Sequence, residues 1–390
     1  MGALAGALAG LSSYAFLWSL RRVTSFRGDH NWLLFGLPFA GLVIGVVYLY
    51  LGGRSGEGNA LLLDQIHEPT SWLPRRMAPL ILLGTLWTHL FGGSVGREGT
   101  ALQMAGSLSD GAARALRLAP DDRRLVLIAA LAGGFGAVFG VPLAGAVFAL
   151  EVQAVGRVQY EALVPALTAS LIGDGIVRGL GYHHERFAPL APHVDPVLVL
   201  KVAVAGIAFG LAGAAFAWST EWLKEQSAHR VPWLPLRAAI GGVIAVPFIL
   251  LVGREYSGLS ISLSNAALAG HHVASYAFAA KLAATALCLG FGFVGGEVTP
   301  LFVIGATLGA TLAGPLHVAQ RTLAGVGFVS VFAGAANTPL ACAVMAVELF
   351  GSGIAVPAAV GCVAAYVFST HRGIYTTQRF ALSKTGMPLG

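Results

Sequence analysis

The chain has 390 residues, of which 56% are hydrophobic and only 11% charged, and its mean hydropathy is +0.74. A water-soluble domain carries about 25% charged residues to cover its surface, so this composition excludes one and places the chain in lipid. The net charge of +6 comes from arginines scattered between apolar runs, among them Arg21, Arg22, Arg75, Arg76, Arg114, Arg117, Arg123 and Arg124, which suits anionic lipid headgroups and gives nucleic acid no basic stripe to bind.

Apolar stretches close to the roughly 20 residues that span a bilayer occur at 2–20, 32–52, 125–150, 160–181, 197–220, 236–252, 273–295, 323–347 and 353–369. The first has no basic leader or cleavage site and reads as a membrane helix rather than a signal peptide. The segments after Asn59, Glu98 and Glu297 are brief and open on glycines, which predicts helices that start inside the membrane. The 52 glycines and 18 prolines fit broken helices and close helix contacts. Arginines follow several different runs, so they assign no orientation. Cys288, Cys342 and Cys362 lie in apolar runs without ligand spacing and read as packing residues. Without an H-E-x-x-H pair, P-loop or dinucleotide fingerprint, no metal, cofactor or enzyme chemistry is indicated.

The chain repeats itself. Gly96, Glu98, Leu102 and Gly106 align with Gly295, Glu297, Leu301 and Gly305 at an offset of 199, and Pro142 and Glu151 align with Pro339 and Glu348 at an offset of 197. Duplicated halves, about 1–185 and 196–390, predict an all-α polytopic membrane protein whose broken helices meet near the midplane and place the substrate there.

A carboxylate inside a membrane is costly and marks function by default. Glu98 lies in G-G-S-V-G-R-E-G-T, where Gly96 and Gly99 let backbone approach a ligand and the following helix start offers N–H groups to an anion. Ionised Glu98 would fill that anion site, and protonated Glu98 would leave it, which couples anion to proton. An ion pair with Arg97 is the structural alternative. Asn59, in G-E-G-N-A-L-L-L-D, can donate to an anion from its amide or serve as a helix cap. Glu151 and Glu348 end apolar runs and read as solvated or cap-pairing residues.

These motifs resemble the CLC family of chloride channels and chloride/proton exchangers over essentially the whole chain: GNALL at 58–62, GREGT at 96–100, GGEVTP at 295–300 and GIYTT at 373–377. The resemblance implies two inverted-topology repeats of tilted and broken helices in a single transmembrane transport domain over 1–390, with no C-terminal regulatory domain, assembled as a homodimer. Asn59 in place of serine, Thr100 in place of proline, Glu297 with Val298 in the third motif, and Val152 where exchangers carry an inner glutamate make the chain similar to the fluoride/proton antiporters of the family. That likeness implies fluoride export against protons across a bacterial inner membrane. It also implies Glu98 as the gate, Asn59 as the selectivity position, Tyr375 as an anion contact beside a helix start, and Glu297, Val298 and Thr299 as lining of the central site. Leu61, Leu62 and Leu63 stand where some members have phenylalanines. A chloride or nitrate exchanger, a passive anion channel, and a scaffold or receptor with a purely structural repeat are the alternatives.

Overall fold

Among the described residues, eight α-helices are followed by eight more. The computed structural model describes residues 1–371, 373–381 and 384. The first set is α1 (Gly2–Asp29), α2 (Leu37–Val47), α3 (Asn59–His67), α4 (Met77–Leu90), α5 (Glu98–Ala115), α6 (Pro120–Phe139), α7 (Pro142–Glu151) and α8 (Leu163–Gly179). The second is α9 (Pro196–Arg230), α10 (Leu234–Val252), α11 (Ile261–Ala269), α12 (Ala277–Gly290), α13 (Val298–Leu316), α14 (Gln320–Ala336), α15 (Pro339–Phe350) and α16 (Ala355–Phe368). The only strands among the described residues, Ala154–Val155 and Arg379–Phe380, form one short parallel pair. Among the described residues, six helical stretches are long and apolar enough to cross a membrane, and side chains such as Leu11, Trp18, Leu83 and Leu251 point outward, where lipid rather than water must cover them.

The apolar runs at 125–150 and 323–347 are not single spans. Each is cut in two by a left-handed residue followed by proline: Gly140 (φ 73°) before Pro142, and Asn337 (φ 58°) before Pro339. The left-handed residue ends one helix and the proline, which needs no backbone donor at the first helical position, starts the next. The helices at Glu98 and Val298 are not brief either, at 18 and 19 residues. Two elements escape a 20-residue hydropathy window, α4 with 14 residues and α11 with nine.

The cap-pairing reading of Glu151 and Glu348 holds. Glu151, the last residue of α7, accepts from Leu340 N (3.0 Å) and Ala341 N (2.8 Å) at the start of α15. Glu348 of α15 accepts from Leu143 N (2.9 Å) and Ala144 N (2.7 Å) at the start of α7. Each carboxylate neutralises free N–H groups and the positive end of the other helix. The exchange requires α7 and α15 to run antiparallel, as equivalent helices do in an inverted repeat.

Within a half, small residues let backbones touch. Gly6 and Gly10 of α1 lie so close to Ala169 and Gly173 of α8 that a Cβ at either would stand 2.6 and 2.8 Å from a carbonyl oxygen, the small-residue packing that substitutes for a hydrophobic driving force in lipid. Phe135 stacks on Phe148 of its own half (4.2 Å between centroids) and, across the halves, faces Phe332 (6.1 Å). Arg123 is not a headgroup ligand: it is buried, pairs with Asp110 at 2.6 Å, and covers Trp72.

Glu151→Ala and Glu348→Ala are each expected to remove about 1–3 kcal/mol, seen as an earlier thermal unfolding midpoint of the detergent-solubilised protein. The Gln variants, which keep two acceptor lone pairs but lose the charge, should fall between. Equal midpoints for all four and the parent would show that the reciprocal caps carry no weight.

Candidate functional site

The two halves meet where α5 and α13 begin. Gly96 and Gly296 exchange both backbone hydrogen bonds, Gly96 N to Gly296 O at 2.6 Å and Gly296 N to Gly96 O at 2.8 Å, as an antiparallel bridge. Starts of α4, α5 and α6 each precede those of α12, α13 and α14 by 200 residues, so Gly96 and Gly296 are equivalents and the local two-fold axis passes between them. This corrects the offset of 199. In space Glu98 matches Val298, and Glu297 matches Arg97.

Glu98 has no exposed surface. Its Oε2 accepts from Thr299 N at 2.9 Å and Arg97 N at 3.1 Å, and its Oε1 accepts from the Thr299 hydroxyl. The carboxylate thus sits on the N-terminus of α13, the opposite half's helix, rather than at the head of its own. The Arg97 guanidinium stands off, with Nε 3.7 Å from Oε1 and no hydrogen-bond partner, so Glu98 is held by helix-terminal N–H groups and a hydroxyl more than by an ion pair.

Around the start of α5 the backbone is bare. A Cβ at Gly296 would lie 2.9 Å from both Glu98 N and Gly99 N, so only glycine leaves those amides approachable. A Cβ at Gly99 would meet Asn59 Nδ2 at 3.1 Å, which sets the Asn59 amide against the first turn of α5. Asn59 Oδ1 is buried without a partner. Thr377 Oγ1 donates to Ala60 O at 3.1 Å and ties α3 to the C-terminal segment.

Tyr375 is buried beside Phe148 and shares with Glu297, Glu221, Glu225 and His371 a cavity of about 380 Å³. The segment carrying Tyr375 is turns and a two-residue strand, not the helix start that the motif implies. Thr299 and Arg97 face a second cavity, of about 50 Å³, with His184, Glu185, Phe302 and Phe328. The segments after α8 and after α16, which line the cavities of about 50 and 380 Å³ respectively, are repeat equivalents and leave an inverted repeat on opposite faces. The contribution of Ala217–Glu225 near the end of the 35-residue α9 agrees, since about 1.5 Å per residue carries that stretch across the membrane from the 180–195 loop.

Asn59, Gly96, Glu98, Gly99 and Thr299 therefore converge on one point, Glu297 and Tyr375 flank it from one side, and Val298 turns into the core at 2% exposure. The sequence reading did not single out Gly296 or His184, and it took Arg97 only as an ion-pair partner for Glu98. The Gly295–Gly296 doublet carried the signal for the first.

The family model described as voltage gated chloride channel matches residues 40–370. The chain belongs to the CLC family. It is 44% identical to a chloride/fluoride channel protein of Pseudomonas syringae pv. tomato, over 100% of this chain and 88% of that one, and 27% identical to the H(+)/Cl(-) exchange transporter ClcA of Salmonella arizonae, over 90% and 80%. The crystal structure of a CLC-type fluoride/proton antiporter superposes with a TM-score of 0.94 at 33% identity, covering 97% of each chain.

For a CLC protein with this geometry, Gly296→Ala should cut anion flux in proteoliposomes at least tenfold, because the new methyl would stand 2.9 Å from the Glu98 and Gly99 nitrogens and must push the starts of α5 and α13 apart. Parental flux in that variant would show that no anion uses those amides.

Proposed function

We propose that this CLC protein is a fluoride/proton antiporter that exports fluoride in exchange for protons, with Glu98 as the shared gate. The observation that carries the reading is a fully buried carboxylate seated on the N-terminal amide of α13, between two cavities on opposite faces. Ionised, Glu98 satisfies that helix end as an anion would. Protonated, it loses its claim on the amides, because a neutral acid gains far less from a helix N-terminus than a charged one. A bare anion takes its place. Proton and anion thereby occupy the site alternately, and their movements are linked.

The same positions suit fluoride. A small, strongly hydrated ion must exchange its water for concentrated donors, and the Asn59 amide beside the bare first turn of α5 supplies more donors than one hydroxyl. Glu297 and Tyr375, on the cavity opposite Arg97, would pass ion and proton to and from Glu98, with the Thr299 hydroxyl holding the ionised state. The 44% identity to a chloride/fluoride channel protein and the likeness to a fluoride/proton antiporter support this choice. Chloride exchange is the second reading, favoured by the relation to the Salmonella exchanger. The proposal extends to a homodimer of single transport domains spanning 1–390 in a bacterial inner membrane, surrounded by lipid.

Purified protein in fluoride-loaded vesicles should take up protons as fluoride leaves. Glu98→Gln and Glu98→Ala should reduce that proton uptake at least tenfold; coupling that persists in both would remove Glu98 as the gate. Asn59→Ser should improve chloride's ability to compete with fluoride severalfold, and unchanged competition would place the discrimination elsewhere.

A further inference from the structure

The small cavity beyond Glu98 has the makings of a second station. It is walled by Phe139, Phe187, Phe302 and Phe328, and its polar lining includes Arg97, His184 and Thr299. Arg97 Nε and His184 Nε2 are both buried without a hydrogen-bond partner, and the His184 side chain is 10% exposed. Leaving buried polar nitrogens unpaired costs about 1–3 kcal/mol each, which a ligand that accepts from Arg97 Nε and from the protonated His184 ring would recover.

The charges nearby decide which ligand. His184 Nε2 lies 3.7 Å from Asp174 Oδ1, but Asp174 is already gripped by Arg178 Nε at 2.8 and 2.7 Å, and Arg178 also donates to Gly140 O at 3.1 Å. Glu185 is exposed at the rim. Glu98 has its oxygens filled by Thr299 and the Arg97 amide. Tyr182 covers the imidazole, with ring centroids 5.3 Å apart. The chamber therefore faces one guanidinium, one imidazole and aromatic rings whose edges are positive, and the carboxylate in its lining without a hydrogen-bond or ion-pair partner, Glu185, is solvent-exposed rather than buried with them. At about 50 Å³ it holds only a few water-sized bodies.

We propose that the cavity bounded by Arg97, His184 and Thr299 is a holding site for one small monovalent anion, on the face of the protein opposite Tyr375. Its place on a transport route rests on the exchange reading above; the binding itself does not. When Glu98 is protonated the Arg97 guanidinium loses its carboxylate neighbour and is free to hold the anion that Glu98 has released. Burial, together with Arg97 and Arg178, pushes the His184 imidazole down to about 4. A bound anion favours the protonated ring, so it raises that midpoint, and by linkage the anion binds more tightly as pH falls through it.

Histidine-ring NMR of the ¹⁵N-labelled protein in detergent, with His184→Gln to assign the signal, tests this in sodium fluoride, sodium chloride and sodium gluconate. The expected result is a midpoint raised by a unit or more in either halide over gluconate, with the rise lost in Arg97→Gln. A midpoint equal in all three salts, or a rise that survives Arg97→Gln, would overturn the site. In vesicles, His184→Gln should raise about tenfold the halide concentration that half-inhibits efflux from the His184 face, leaving the Tyr375 face unchanged; equal effects on both faces would also overturn it. Absent proton-coupled flux in the parent protein would refute the exchange reading alone, since the ring titration reports on binding without transport.

Discussion

A carboxylate with no contact to water must find its hydrogen bonds inside the protein, and Glu98 finds them across the repeat boundary, on Thr299. That requirement organises the centre of the molecule. The starts of α5 and α13 have to lie side by side, which the mutual Gly96–Gly296 bridge achieves, and the space between them has to be free of side-chain carbon, which the glycines provide. The same logic of one half completing the helix ends of the other recurs at Glu151 and Glu348. There both equivalents are carboxylates and both helix starts are satisfied, so the arrangement is static. At the centre only one of the two equivalent positions is acidic, and that asymmetry leaves the α5 amides open while the α13 amide is filled.

The two-fold relation also explains the distribution of charge. Arg97 and Glu297 are structural equivalents of opposite sign, and each faces a different cavity. The linings differ in charge, with Arg97, His184 and Glu185 at one cavity and Glu221, Glu225, Glu297 and His371 at the other. Under the proposed exchange, the basic chamber with Arg97 and His184 suits an anion, whereas the acidic one with Glu221, Glu225 and Glu297 suits protons. A symmetric pore would have no reason to treat the two ions differently.

Much of this was legible in the residues. The charge content placed the chain in lipid because a surface facing water cannot be built from it. The glycine-flanked glutamates, the recurring Pro-to-Glu spacing and the Asn59 motif are local patterns, readable without a fold, and they named the segments that converge. The reading of 125–150 and 323–347 as continuous spans went astray because hydropathy averages over a left-handed residue and a proline that each end a helix. The alignment of Glu98 with Glu297 went astray for a related reason: identical letters outweighed the one-residue difference that backbone pairing imposes.

Composition, repeat and helix-starting motifs are properties of short stretches, and the sequence alone determined a membrane protein of two related halves with an acid near its centre. Tertiary structure decided which helix receives that acid, that Arg97 rather than Glu98 is the partner of Glu297 in the repeat, that Arg123 is buried, and that His184 joins Arg97 in a chamber. Those contacts join groups far apart along the chain, Glu98 to Thr299 over 201 residues, and only the packing of the inverted halves brings their donors and acceptors within reach.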